Sequence, residues 1–269
     1  MKALLKLLNG IISFIMGVVL VSAGVYAGYC LWDNSRIYAA AENVQAQLLS
    51  LKPTVTTDGE EETGPTFDEL LAINPDVCAW VTIDNTGIDL PVLQGETNLS
   101  YINTDVYGNF ALAGSIFLDC RNNREYTDTY SLLYGHHMEG GRMFGDLDLF
   151  KDETFFNENH TGTLITPVGS YNLEIFACLV VPSSQEEIFQ PTNWTYDNID
   201  ELVEYARREA MFFDEDIVNQ VYSAAEANED DTVQVLALST CSSEYTDART
   251  VIFTFMCDPN AILTNGKDG

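Results

Sequence analysis

The chain has 269 residues, with 41 acidic side chains against 12 basic ones and a formal net charge of −29. That balance excludes nucleic acid as a partner, because phosphate contacts need clustered Lys and Arg, and it opposes unassisted adsorption to anionic surfaces. A hydrophobic content of 46% supports a packed core, and the length suits one domain of about 200 residues with attachments.

Leu7 to Trp32 carries no charged residue. At about 1.5 Å rise per residue this run crosses a hydrocarbon layer about 30 Å thick. Lys2 and Lys6 precede it and Asp33 follows, so the excess of basic residues on the cytoplasmic side places residues 1–6 in the cytoplasm. The expected localisation is the cell membrane, single-pass, with the bulk of the chain outside. A cleaved signal peptide, with Val25-Tyr26-Ala27 as cleavage context, is the competing reading. The apolar run exceeds the usual signal core of about 7–15 residues, which favours the uncleaved anchor.

Residues 33–65 read as a helical segment followed by a linker. Ile37, Ala40, Ala41, Val44, Leu48 and Leu51 share one helical face, and Pro53 ends it. Pro53 to Pro65 is polar and acidic, with Glu60, Glu61 and Glu62 in succession. A folded domain is expected over 66–258, with 259–269 as a tail. A short helix starts near Thr66, carries Phe67, Leu70, Leu71 and Ile73, and stops before Pro75.

Strand signals then dominate: Val77–Ile83, Ile88–Leu93, Ser115–Leu118, Tyr130–Tyr134, Gly162–Thr166, Tyr171–Val181, Thr232–Ser239 and Arg249–Cys257. They are rich in β-branched and aromatic residues and bounded by Gly, Pro, Asn and Asp clusters. Eight strands in one domain predict a mostly β fold closed, or nearly closed, into a barrel. One long helix interrupts the sixth and seventh strands, with Ile199, Leu202, Val203, Ala206, Ala210 and Phe213 at helical spacing and Asp197 as N-cap.

The chemistry gathers at strand ends. Leu238-Ser239-Thr240-Cys241 ends one apolar run on a thiol, and Arg249 opens the next eight residues later. Neighbouring strands joined by the intervening loop hold thiol and guanidinium at one sheet edge. The positive charge favours thiolate and can stabilise an oxyanion. Tyr134-Gly135-His136-His137-Met138 supplies a base at the end of another run, and a cysteine with a distant histidine is a nucleophile–base candidate. A buried structural cysteine and a surface ion pair of Arg249 with Glu244 or Asp247 are the bland alternatives. The other cysteines are Cys30, Cys78, Cys120, Cys178 and Cys257. Cys78 and Cys178 lie in apolar strand runs and are expected to be buried. A Cys120–Cys257 bridge stays open, and the absence of any C-x-x-C pair argues against zinc.

These residues together resemble the sortase family, and within it class B. The Leu-Ser-Thr-Cys motif with Arg249 resembles the family's active-site strand pair. Tyr134-Gly135-His136 with Met143-Phe144 resembles its histidine block. Asn74-Pro75-Asp76 through Trp80, Ile88 through Gly95, and Gly114-Ser115-Ile116-Phe117-Leu118-Asp119 resemble the start of its barrel. The likeness covers roughly residues 66 to 258. It implies an eight-stranded sortase-type β-barrel with N-terminal helices and one long helix, and a membrane-anchored cysteine transpeptidase. In that reading Cys241 cleaves a C-terminal sorting signal of secreted proteins through a thioacyl intermediate. His136, not His137, exchanges protons with the amines, and Arg249 holds the carbonyl or oxyanion. The acceptor is an amine of a peptidoglycan precursor or of a pilin. Substrate-groove positions carried over are Asn98, Ile102, Ser183, Ile188, Ser239 and Thr240, and neither metal nor cofactor is implied. Pilin polymerisation or plain hydrolysis is the alternative within the family, and a catalytically idle binding module is the alternative outside it.

Overall fold

A computed structural model describes residues 2–54, 65–227, 233–241 and 248–259. The acidic linker, the segment between Cys241 and Ala248, and the tail expected from 259 therefore lie wholly or largely outside the described residues. The chain divides into two compact units, Met1–Asn43 and Val44–Gly269.

The first unit is helical and holds the greater part of the first helix. α1 (Lys2–Leu49) is one uninterrupted helix, where the sequence suggested an anchor followed by a separate helical segment. No proline or glycine pair punctuates residues 33–36, so nothing stops the helix before its natural end ahead of Pro53. Its apolar stretch is long enough to cross a membrane, and the large side chains of that stretch are exposed, as with Phe14, Leu20 and Leu31.

In the second unit, α2 (Phe67–Ile73) starts as expected at Thr66. The Thr66 hydroxyl accepts from the helix's first turn, and the Glu69 carboxylate accepts from the Thr66 backbone N–H at 2.9 Å. The strands are β1 (Val77–Ile83), β2 (Asp89–Leu93), β3 (Ile116–Leu118), β4 (Tyr130–Met138), β5 (Arg142–Met143), β6 (Thr161–Thr166), β7 (Gly169–Pro182), β8 (Phe212–Phe213), β9 (Val235–Cys241) and β10 (Ala248–Cys257). The order β10-β9-β4-β3-β2-β1-β6-β7 closes on itself, because β10 pairs with β7 from Ala248↔Pro182 to Cys257↔Asn172. Closure leaves no free edge among these eight strands. All eight correspond to the strands expected from the sequence. β5 and β8 are two-residue additions outside the ring.

The largest core cluster gathers large side chains of the barrel strands against those of the helices. Trp80, Tyr130, Phe176, Phe253 and Phe255 are fully buried, and Phe176 stacks on Phe255 at 4.3 Å between ring centroids. Each such burial stabilises the fold by about 1.5–3 kcal/mol. Cys78 and Cys178 are buried, as expected, and burial pushes both thiols, with that of Cys257, up to about 12. Cys120 and Cys257 are both free thiols, so the bridge left open by the sequence is not formed.

The helical insertion between the sixth and seventh barrel strands differs from expectation. α3 (Glu153–Glu158) precedes β6, and the short α4 (Glu186–Phe189) follows β7. α5 (Ile199–Glu209) then buries Ile199, Leu202, Val203, Tyr205 and Ala206. It ends at Glu209, because Phe212 and Phe213 leave the helix to pair with β7, where Phe213 meets Phe176 edge-on. A second helix, α6 (Glu215–Ala227), follows, with the Asp214 carboxylate accepting from the Ile217 N–H. The N-cap of α5 is Asn198, not Asp197, and its side chain accepts instead from the Thr195 N–H at 2.7 Å.

Candidate active site

Two of the barrel's pairings are parallel, and both build the site. The β4–β9 pair runs from Tyr130↔Val235 to His136↔Cys241. The strand ends bearing the histidine and the cysteine are thus fixed as lateral neighbours by a seven-residue ladder. The β2–β3 pair, Val92↔Ile116 and Leu93↔Phe117, requires a crossover the length of the barrel. That crossover, residues 94–115, contains Asn98 and Ile102.

Gly135 lets β4 reach this end. A side chain there would press on Phe144 and Ile116 at under 3 Å, and Phe144, fully buried, donates its backbone N–H to the His136 carbonyl at 3.0 Å. His136 is half-buried, and its Nε2 lies 2.7 Å from the Ile102 carbonyl oxygen. His137, on the opposite face of the strand, is exposed and meets the Asp148 carboxylate at 3.1 Å.

Arg249 opens β10 opposite Val181. Its guanidinium donates to the Thr240 carbonyl at 2.9 Å and lies 5.7 Å from the centre of the Phe189 ring. The structure therefore brings together the three residues the sequence singled out: His136 beside Cys241 through the ladder, and Arg249 bonded to the residue preceding Cys241. Thr240 is locked by the Thr250 N–H, which donates to its hydroxyl at 3.1 Å. The Thr250 hydroxyl donates in turn to Asp148 at 2.7 Å.

The expected groove positions divide into two groups. Asn98 and Ile102 lie on the crossover and Ser183 is half-exposed just past β7. Ile188, Ser239 and Thr240 are buried, at 0%, 0% and 3% exposure. The Ile188 side chain belongs to the core and its carbonyl accepts from the Tyr130 hydroxyl.

Sequence reasoning missed the network behind this wall. The Asp119 carboxylate, wholly buried, accepts from Arg121 Nε at 2.8 Å and Nη2 at 2.7 Å, from the Asn98 amide at 2.9 Å and from the Tyr134 hydroxyl at 3.2 Å. Burial pulls its pKa up, but the Arg121 bonds and charge and the Asn98 bond outweigh this and hold it below the ordinary carboxylate value. Arg121 also donates to the Phe189 carbonyl and the Gln190 side chain, and Phe189 stacks on Tyr134. One buried carboxylate thus ties the crossover, β4 and the loop after β7 together. The signal was present as an Asp-x-Arg at the end of an apolar run, in a chain with few arginines.

No protein-family model matches the chain. A Streptococcus pyogenes class B sortase involved in pilus biogenesis superposes with a TM-score of 0.60 at 35% identity, over 71% of this chain and 97% of that one. The chain belongs to the class B sortase family. Sortase B of Listeria monocytogenes is 34% identical over 163 residues, 61% of this chain and 65% of that protein, just under two thirds of its length. Clostridium perfringens sortase B matches at 27% identity and a TM-score of 0.61, over 72% of this chain and all of the solved one. The closed eight-stranded barrel behind a helical N-terminus is the sortase fold, and the resemblance read from the motifs holds at the level of the class.

Proposed function

We propose that this class B sortase is a membrane-anchored cysteine transpeptidase acting on secreted proteins outside the cell, with Cys241, His136 and Arg249 as its catalytic residues. The observation that carries the reading is the parallel β4–β9 register, which makes His136 the neighbour of Cys241, with the Arg249 guanidinium bonded one residue away. Residues 1–6 lie in the cytoplasm, 7–32 in the membrane, and the catalytic domain of 66–258 outside, joined by 33–65.

In the first step the Cys241 thiolate attacks the carbonyl carbon of a Thr–Gly or Thr–Asn-type peptide bond in a C-terminal sorting signal. Arg249 stabilises the oxyanion that forms. The C–N bond then breaks, the leaving amine takes a proton from the His136 imidazolium, and a thioester remains on Cys241. In the second step an acceptor amine attacks the thioester and loses its proton to His136, and the Cys241 thiolate departs. An unperturbed thiol titrates near pH 8.5, so a fixed guanidinium at this strand end favours the reactive thiolate form. Asn98, Ile102 and Ser183 line the substrate groove, while Ile188, Ser239 and Thr240 shape it from behind. The chemistry requires neither metal nor cofactor.

The acceptor is an amine of the peptidoglycan precursor. The likeness to a relative involved in pilus biogenesis favours a second reading, in which a pilin lysine is the acceptor. A peptide-library cleavage assay with both kinds of amine, read by mass spectrometry, tests this. Cleavage at one motif with amine-dependent ligation is the expected result, and absence of any thioester or ligation product defeats it.

A further inference from the structure

The contact between His136 and the crossover settles which ring nitrogen is free to work. The Ile102 carbonyl oxygen can only accept a hydrogen bond, so at 2.7 Å the Nε2 facing it carries the proton. The neutral ring then has its lone pair on Nδ1. The placement of that carbonyl is itself enforced. Gly114 adopts φ +58°, and a β-carbon there would lie 2.4 Å from the Ile102 oxygen and 2.7 Å from the Tyr101 oxygen. Ser115 closes the same turn: its N–H donates to the Tyr101 carbonyl at 3.0 Å and its hydroxyl to the Thr104 carbonyl at 2.8 Å.

We propose that His136 exchanges protons through Nδ1, its Nε2–H held by the Ile102 carbonyl, and that Gly114 and Ser115 are positioning residues that seat this carbonyl. This rests on the transpeptidase reading for its consequence but not for its measurement. Nδ1 accepts the proton of the Cys241 thiol or of the incoming amine and returns it to the leaving amine, while the Nε2–H bond stays intact throughout. The groove wall that meets substrate thereby also sets the tautomer of the base.

His160 provides an internal contrast, since its Nδ1 is the atom that meets a carbonyl, that of Ile175, at 2.9 Å. The test is a long-range ¹H–¹⁵N correlation spectrum of the full chain, labelled at its three histidines and held in detergent. Assignment uses His137→Gln and His160→Gln. Above the imidazolium range His136 is expected as the Nε2–H tautomer and His160 as the Nδ1–H tautomer. A dominant Nδ1–H form at His136 overturns the proposal. Gly114→Ala and the milder Ser115→Ala are each expected to raise the Nδ1–H fraction. Each is also expected to lower kcat on the peptide found by the library screen, about tenfold or more for Gly114→Ala, with KM changed less than twofold. An unshifted tautomer in folded Ser115→Ala, or KM rising in place of kcat falling, overturns the positioning role. The spectra contain no substrate, so failure of the transpeptidase reading would show separately, as retained turnover in Cys241→Ala.

Discussion

The floor of the site and its wall are built by different means. Cys241, His136 and Arg249 stand on strand ends, and their relative placement follows from backbone ladders shared by β4, β9 and β10. Asn98 and the loop after β7 are held by side chains, chiefly the buried Asp119 and its partner Arg121. The register of the floor rests on backbone hydrogen bonds, whereas this part of the wall depends on one carboxylate. Chemistry and recognition should therefore fail separately.

The largest expected effect is on the floor. Cys241→Ala abolishes cleavage while shifting the melting temperature little, because the ladder hydrogen bonds are backbone bonds. Measurable turnover by that variant would sink the mechanism. His136→Ala lowers kcat by about 10²–10⁴, and His137→Ala changes it less than about twofold, since His137 faces Asp148 on the outside. The reverse ranking would reassign the base.

On the wall the losses are in stability and KM. Asp119→Ala leaves the Arg121 guanidinium and the Asn98 and Tyr134 donors without their acceptor. It is expected to cost about 3 kcal/mol in urea denaturation and to raise KM more than it lowers kcat. A kcat loss at unchanged KM would dissolve the distinction between floor and wall. Arg121→Ala costs less, about 1 kcal/mol, because the arginine is a third exposed and partly screened. The smallest effect is on pH dependence. Asp119 has a folded-state pKa below its unfolded value, so its contribution is complete above the ordinary carboxylate pKa and is lost as pH falls through the depressed one. Denaturation of Asp119→Asn across the acid range should show a shallower loss than the parent protein, and parallel curves would remove Asp119 as the source.

The same division governs what could be read from the sequence. Every barrel strand was legible because each run is rich in β-branched and aromatic residues and is bounded by Gly, Pro, Asn or Asp. The three floor residues stood out as candidates because His136 and Cys241 end such runs and Arg249 opens one. The start of α2 near Thr66 was legible too, and the structure adds the capping box of Thr66 and Glu69. The break after Glu209 was not, since Ala210 and Phe213 extend the helical spacing of α5, and only pairing with β7 draws Phe212 and Phe213 into a strand. Ile188 and Ser239 show the limit of carrying positions over by motif: a residue's place in a pattern does not reveal whether its side chain faces solvent or core. The Asp119–Arg121 pair lies within three residues of sequence, but the Asn98 and Tyr134 partners of Asp119 stand 21 positions before it and 15 after it, a relation that no local pattern encodes.

Parallel pairing of β4 with β9 has a consequence in time. His136 and Cys241 meet across a sequence separation of about a hundred residues, and closing so large a loop is slow and must precede its reward. In chain order β6, β7 and the helical insertion all come between the histidine strand and its neighbour. Until the barrel closes, the thiol has no base beside it and no guanidinium on its strand end. A chain whose barrel is still open thus carries Cys241 without His136 and Arg249 beside it, and the candidate site comes together only with completion of the barrel.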